Sequence, residues 1–157
     1  AGATQIIVSD LSETRRATAS CLGADITVDS RNEDLETVVK DATNGHGADV
    51  AVIAIGRPEL LAQAIGLVRK GGYVCAFAGF PKGSTAAVDP NTIHYGEITL
   101  VGAANAKRRQ TEEALRLIEN RLIPAETIVS HTFPLPQAAE AIEFSASGEG
   151  IKIAVVP

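Results

Sequence analysis

The sequence predicts an α/β fold of the doubly wound type, in which helices cover both faces of a parallel sheet. Short β-branched runs alternate along the chain with helical stretches of roughly ten residues, the pattern of a parallel sheet with helical crossovers. Residues 49–55 are apolar after the first position, which is typical of a parallel strand covered on both faces. Hydrophobic residues make up 45% of the chain and charged residues 21%, which excludes intrinsic disorder.

Each predicted element is bounded by its own start and stop signals. Ser12 is placed to cap the first helix, and Gly23 is placed to end it. Pro58 suits the first turn of the third helix, and residues 70–72 are expected to terminate it. The predicted strands are 5–9, 25–28, 49–55, 73–78 and 98–103, the predicted helices are 12–22, 34–43, 58–69 and 111–120, and residues 82–90 are expected to be a loop.

The pattern changes after Arg121, where three prolines interrupt the regular alternation. A strand at 127–133, a short helix at 136–145 and a last strand at 151–156 are predicted beyond this point. We therefore expect one domain over residues 1–121 and a separate segment over residues 122–157.

The charge and cysteine content exclude several function classes. Fourteen Lys and Arg residues against nineteen Asp and Glu residues give a net charge of −5. Nucleic acids and anionic membranes bind basic faces, so neither is an expected partner. No apolar run approaches the ~18 residues that a membrane span requires. Cys21 and Cys75 lie in apolar contexts and cannot form a disulfide framework, so a cytoplasmic location is expected.

Asp10 is the most informative residue, because it ends a short strand just before a helix. In dinucleotide-binding folds, an acid at this place accepts hydrogen bonds from the adenosine ribose. Its charge also repels a 2′-phosphate by roughly 1 kcal/mol in water, and by about 4 kcal/mol at an effective dielectric constant of 20. Asp10 therefore favours NAD over NADP. The alternative interpretation is an Asp that caps a helix within a loop.

The glycine-rich turn that binds the pyrophosphate is absent from its expected place. It should lie about 20 residues before the acid, but only nine residues precede Asp10. We therefore expect a partial domain that lacks its first, central strand, so that strands 5–9 and 50–54 each lose a neighbour. A small α/β protein with a different first element is the alternative.

The order and spacing of several motifs resemble the C-terminal half of the zinc-type medium-chain alcohol dehydrogenases. The resemblance is greatest to the sorbitol (L-iditol) and threonine dehydrogenase branch, and it extends over essentially the whole chain. The motifs that carry it are residues 6–15, Leu22-Gly23-Ala24-Asp25, Gly47-Ala48-Asp49-Val50, Ile55-Gly56-Arg57, Gly71-Gly72-Tyr73-Val74, residues 131–135, Ala138-Ala139-Glu140-Ala141 and Lys152-Ile153-Ala154-Val155.

The resemblance implies a Rossmann-type NAD site built from the ends of four strands. Its residues would contact the adenosine ribose, the adenine side, the nicotinamide ribose and the nicotinamide carboxamide, in that order. The residues implied are Asp10, Leu11 and Arg15; Ile55, Gly56 and Arg57; Ala78, Gly79 and Phe80; and Ala103, Ala104 and Asn105. In the family the fourth strand commonly carries an acid and a cysteine, and the sixth often ends in an aromatic residue or an arginine. This chain departs from both patterns.

The same resemblance implies an enzyme of which this chain is one part. An alcohol or polyol would be the substrate, residues 122–157 would return to the catalytic domain, and the parent would be a homo-oligomer. No metal site is visible in this sequence, because His46, His94 and His131 are scattered. In the family that the chain resembles, the zinc ligands belong to an N-terminal domain, which implies that zinc would be held outside this chain. We therefore assign no catalytic residue here and expect the isolated chain to be inactive. A non-catalytic nucleotide-binding module and a methyltransferase-like fold are the alternatives.

Overall fold

The computed structural model describes residues 2–157, which form two compact units. One unit comprises the residues up to Thr27 together with Ala106–Pro157, and the other comprises Val28–Asn105. The strands are β1 (Ile7–Ser9), β2 (Ile26–Val28), β3 (Ala48–Ile53), β4 (Val68–Ala76), β5 (Thr99–Gly102), β6 (Val129–Pro134) and β7 (Lys152–Val156). The helices are α1 (Glu13–Cys21), α2 (Leu35–Ala42), α3 (Glu59–Leu67), α4 (Pro90–Gly96), α5 (Arg108–Glu119), α6 (Ala125–Ile128) and α7 (Ala138–Ser147). Neither unit ends at residue 121, and the predicted domain boundary there stays a prediction.

A parallel sheet of order β3-β4-β5 forms the centre of the Val28–Asn105 unit, which confirms the predicted α/β class. Its core consists of Ile53 on β3, Val74 on β4, and Ala64 and Ile65 on α3. Val74 is fully buried and Ile65 is 2% exposed. Residues of α3, α4 and the adjoining loops pack around this cluster. The carboxyl ends of the three strands therefore lie at one edge of a firmly packed sheet.

The prediction that the apolar strand β3 is covered on both faces is wrong for the part of the chain that the structure describes. Successive strand residues point to opposite faces of a sheet. Ala51 and Ile53 face the helices, whereas Val50 is 55% exposed and Val52 is 59% exposed. Tyr73, which is paired with Val50, is also half exposed. Helices α3 and α4 thus cover one face of this sheet only.

The junction of α3 and β4 differs from the prediction. Helix α3 ends at Leu67, and residues 70–72, predicted to terminate the helix, lie inside β4. The register explains how: Ala48 pairs with Val68 and Val50 pairs with Tyr73, so the residues between them form a bulge. Gly71 has a φ of +72° there, which glycine adopts without steric cost. Glycines that indicate a helix end can therefore serve a strand irregularity instead. At its other end β4 stops at Ala76, two residues before the predicted end.

Strands β1 and β2 form a two-stranded sheet of their own. Among the described residues, β1 pairs only with β2 and β3 pairs only with β4, so each of these strands has one unpaired edge. Helix α1 begins and ends as predicted: Ser12 Oγ accepts a hydrogen bond from the Arg15 amide at 3.4 Å, and Gly23 follows the helix with a φ of +99°. The capping signals at Ser12 and Gly23 were therefore sufficient to predict where α1 begins and ends.

The residues after Arg121 form a small parallel pair, β6-β7, packed by α7. The Phe144 ring lies 5.9 Å from that of Phe133 and 4.4 Å from that of His131, measured between centroids, and Ala141 on the same helix is 2% exposed. The predicted strand, helix and strand are confirmed, with small shifts at their ends. No helix within residues 2–157 has the length and apolar character needed to cross a membrane.

Two helices were not predicted. Helix α4 follows Asp89, whose carboxylate accepts a hydrogen bond from the Asn91 amide at 2.9 Å, and Pro90 occupies its first turn. Asp followed by Pro is an N-terminal helix signal, so the sequence did contain the information. Helix α6 is a single turn with no side-chain cap, and its sequence carries no comparable signal.

Candidate functional site

The carboxylate of Asp10 lies immediately beyond the end of β1 and is held by the start of α1. One oxygen accepts a hydrogen bond from the Ser12 amide at 2.8 Å. The other lies 3.8 Å from a guanidinium nitrogen of Arg15, and the Asp10 side chain is 31% exposed. A carboxylate offers about four lone-pair positions, so acceptor capacity remains for the two hydroxyls of a ribose. The N-cap of α1 is Ser12 and not Asp10.

The Arg15 guanidinium makes contacts that the sequence did not indicate. Its Nη2 donates to the carbonyl oxygen of Gly148 at 2.9 Å and to that of Gly150 at 3.2 Å. Its Nη1 faces Asp10 across the 3.8 Å ion pair. The neighbouring Arg16 donates to the backbone carbonyl of Asp10 at 2.7 Å. Two arginines thus surround the acid, while Leu11 between the strand and the helix is 46% exposed.

The segments that follow β3 and β4 lie directly against each other. The Ala78 amide donates to the Ile53 carbonyl at 2.9 Å, which brings the two strand ends together. A Cβ added to Gly56 would overlap the Gly79 carbonyl oxygen and lie 3.3 Å from the Phe80 Cα. Residues 55–57 and 78–80, which the family resemblance implies for one cofactor site, therefore lie next to each other. Gly56 is required by this contact, whether or not a ligand also approaches it.

The other side chains at this edge are more open. Arg57 donates from Nε to Glu59 at 2.7 Å, and Ile55 is 56% exposed. The pKa of Glu59 is lowered, first by a hydrogen bond from its own backbone amide and then by the Arg57 side chain. This pair lies at the start of α3, where a negative charge is favourable to the helix dipole. In this structure the Arg57 side chain therefore forms a hydrogen-bonded ion pair with Glu59.

The end of β5 completes the edge. The Ala103 amide donates to the Ala76 carbonyl at 3.1 Å, so this segment extends alongside β4. Ala103, Ala104 and Asn105 are exposed, and Asn105 has a φ of +58°. Asparagine tolerates this left-handed conformation better than most residues because its short amide can hydrogen-bond locally. The predicted residues at the ends of β3, β4 and β5 thus share one edge of one sheet, as ligand-binding segments of open α/β sheets do.

Metal-ligating side chains are not clustered in the part of the chain that the structure describes. Within residues 2–157, no three His, Cys, Asp or Glu side chains are close enough to hold a metal ion. These residues do not fit a zinc centre, and we assign no zinc contact to them.

Comparison with known proteins gives a consistent family assignment. The family model described as zinc-binding dehydrogenase matches residues 1–120. An erythritol/L-threitol dehydrogenase of Mycolicibacterium smegmatis is 30% identical, over 98% of this chain and 42% of that protein. A sorbitol dehydrogenase of Halalkalibacterium halodurans is 29% identical, over 97% of this chain and 45% of that protein. The chain thus spans less than half the length of these relatives.

Solved structures resemble the chain over its whole length. A structure from Sinorhizobium meliloti 1021, bound to NADP, has a TM-score of 0.92 and 26% identity, and the match covers all of this chain and 46% of that one. The benzyl alcohol dehydrogenase of Acinetobacter calcoaceticus has a TM-score of 0.89 and 26% identity, with 98% of this chain and 43% of that one covered. Both likenesses agree with a Rossmann-like fold of which this chain is a part.

Proposed function

The chain belongs to the zinc-binding dehydrogenase family, and from this premise we propose that it forms the NAD-binding portion of an alcohol or polyol dehydrogenase. The substrate class rests on relatives described as erythritol/L-threitol and sorbitol dehydrogenases. The parent enzyme would oxidise a secondary alcohol to a ketone, with one hydride passing to NAD and one proton released. Hydride acceptance is the chemistry that a bound nicotinamide supplies. The residues of this chain hold and orient that cofactor.

The observation that carries the proposal is the state of the Asp10 carboxylate. It is fixed by the Ser12 amide at 2.8 Å, yet it is partly exposed and keeps acceptor positions. This arrangement suits the 2′- and 3′-hydroxyls of the adenosine ribose. The backbone at Gly56, Gly79 and Ala103 would contact the rest of the cofactor. The other residues that the family resemblance implies would line the same path.

NAD is the proposed cofactor rather than NADP. Placing a 2′-phosphate beside Asp10 would set like charges about 4 Å apart, at a cost of roughly 1 kcal/mol in water. The partial exposure of Asp10 and the neighbouring Arg15 both reduce this repulsion, so a modest preference follows. The NADP in the Sinorhizobium meliloti structure belongs to that protein and makes the cofactor choice the property to measure first.

The remaining features of the whole protein are part of the same proposal. Residues 1–121 would form the nucleotide-binding portion and residues 122–157 the return to the catalytic domain, which the family match ending at residue 120 supports. The whole enzyme would be a cytoplasmic homo-oligomer whose zinc is held outside this chain. The 157 residues alone would then show no dehydrogenase activity.

Titration of the natural protein with NADH and NADPH tests the proposal directly. We expect NADH to bind more tightly, and Asp10→Asn to reduce the preference for NADH by up to about fivefold, since a repulsion of roughly 1 kcal/mol is lost. Asp41→Asn removes an equal charge from an exposed site on α2 and should leave both affinities unchanged. NADH formation with polyols then tests the activity. The proposal is wrong if the wild-type protein binds neither nucleotide, and the role of Asp10 is wrong if the preference survives its replacement.

A further inference from the structure

Arg15 occupies an unfavourable place on its own helix. It is the third residue of α1, where the helix dipole repels a cation, and the adjoining Arg16 adds a second positive charge. Arg15 has two kinds of partner within its compact unit.

The first partners are carbonyl groups beyond the end of α7. The last four carbonyls of any helix lack partners within the helix, and the C-terminal end carries a partial negative charge. The last turn of α7 contains no basic residue. Arg15 supplies the missing cation, since its Nη2 donates to Gly148, the C-cap, and to Gly150. These acceptors lie 133 and 135 residues away in sequence.

The loop that offers these carbonyls is itself well defined. Gly148 has a φ of +78°. Gly150 is buried, and a Cβ added to it would overlap Ile153 and lie 3.2 Å from both Phe144 and Ser130. The Ile151 amide donates to Ser130 Oγ at 2.9 Å. A guanidinium bound by this loop is therefore held in place, whereas a free arginine on a helix surface samples many rotamers.

The second partner is Asp10, whose carboxylate faces the other terminal nitrogen of Arg15. We propose that Arg15 is a positioning residue that couples the adenosine acid Asp10 to the loop 148–150, so that nucleotide binding at Asp10 makes local opening of this loop less frequent. The planar guanidinium with its forked donors can serve both sides at once, which the single ammonium of a lysine cannot do in the same geometry. This inference rests on the proposed NAD site and adds a link from that site to the segment after residue 121.

Hydrogen exchange in the natural protein tests the coupling, read from a peptide covering residues 146–152 with and without NADH. In the wild-type protein we expect NADH to slow exchange in this peptide. Arg15→Lys should abolish that protection and weaken NADH binding about tenfold, because charge-assisted hydrogen bonds are lost. In steady-state kinetics KM for NAD should rise by a similar factor while kcat stays within about twofold, since no reacting group is touched. Arg116→Gln removes a positive charge from the exposed helix α5 and should change none of these quantities.

The outcomes separate this inference from the proposed function. If NADH binds but does not slow exchange in residues 146–152, or if Arg15→Lys keeps the wild-type protection, the coupling is wrong. If the wild-type protein binds no NADH, the proposed function and the coupling both fail. Exchange in the nucleotide-free protein then still decides whether Arg15 holds the loop: Arg15→Gln should accelerate it, and unchanged exchange would overturn the positioning role as well.

Discussion

Replacement of Gly56 by alanine should destabilise the protein because its place is filled by backbone. The new Cβ would overlap the Gly79 carbonyl oxygen and lie 3.0 Å from the carbonyl carbon of the same residue. A flexible side chain could turn away, but this carbonyl belongs to the segment that follows β4 and can yield only if the segment shifts. Overpacking of this kind costs about 1–3 kcal/mol. For a protein of this size, that corresponds to a fall in Tm of about 2–12 °C.

Gly66→Ala is a matched control within the same compact unit. Gly66 lies in α3, and an added Cβ would meet no atom within 4 Å. Glycine within a helix costs about 0.5–1 kcal/mol relative to alanine, so this variant should be more stable than the wild type. One chemical change should thus give opposite signs at two positions. Thermal unfolding followed by circular dichroism, repeated with urea, measures both.

The comparison also separates two explanations for Gly56. The packing explanation is refuted if Gly56→Ala is as stable as Gly66→Ala. If its stability is unchanged while NADH binding is lost, the glycine serves the cofactor alone. If stability falls and nucleotide binding falls with it, the contact with Gly79 is the primary requirement, and the cofactor profits from a backbone that the protein already needs.

Two further variants test other parts of the structure. Gly150→Ala should lower the free energy of unfolding by about 1–2 kcal/mol, because the new Cβ meets side chains that can shift in part. In thermal unfolding, the Tm of this variant should lie between those of the wild type and Gly56→Ala. A Tm equal to that of the wild type would contradict the packing around α7. Asp34→Ala should destabilise more at pH 7 than at pH 3. The pKa of Asp34 is lowered, first by the Thr37 hydroxyl and then by the Thr37 amide, so the ionised cap stabilises fully above its ordinary pKa and less as pH falls through the lowered one. Urea unfolding at both pH values measures this, and an equal cost at both would show that the charge is irrelevant to the cap.

Local signals predicted most of the fold. Ser12 and Gly23 marked both ends of α1, and six of the seven strands in the described chain lie within two residues of their predicted bounds, whereas β4 begins five residues earlier than predicted. Such signals operate over three or four residues and therefore survive the absence of any tertiary information. Helix α4 was not predicted, although Asp89 followed by Pro90 is a local signal for the start of a helix.

Burial was harder to predict than secondary structure. The apolar run at β3 indicated a strand covered on both faces, but Val50 and Val52 are more than half exposed in the described chain. An apolar pattern shows that a residue favours burial, while the segment that buries it depends on the whole assembly of elements. The bulge at residues 69–72 was unpredictable for the same reason, because only the pairing of β4 with β3 creates it.

In the candidate site, too, features set by neighbouring residues could be predicted, whereas features set by distant residues could not. The position of Asp10 between a strand and a helix was predictable, because it depends only on the strand before it and the helix after it. The partners of Arg15 were not, since a periodic pattern carries no information about a residue 133 positions away. The sequence nevertheless held half of the answer: α7 was predicted as a helix, and its last turn lacks the basic residue that a helix end favours. A helix end without a basic residue of its own favours a cation from another element, and here that cation is an arginine in the first turn of α1. The absence of a basic residue at the end of α7 and the presence of an arginine in the first turn of α1 together indicate a long-range contact that neither feature indicates alone.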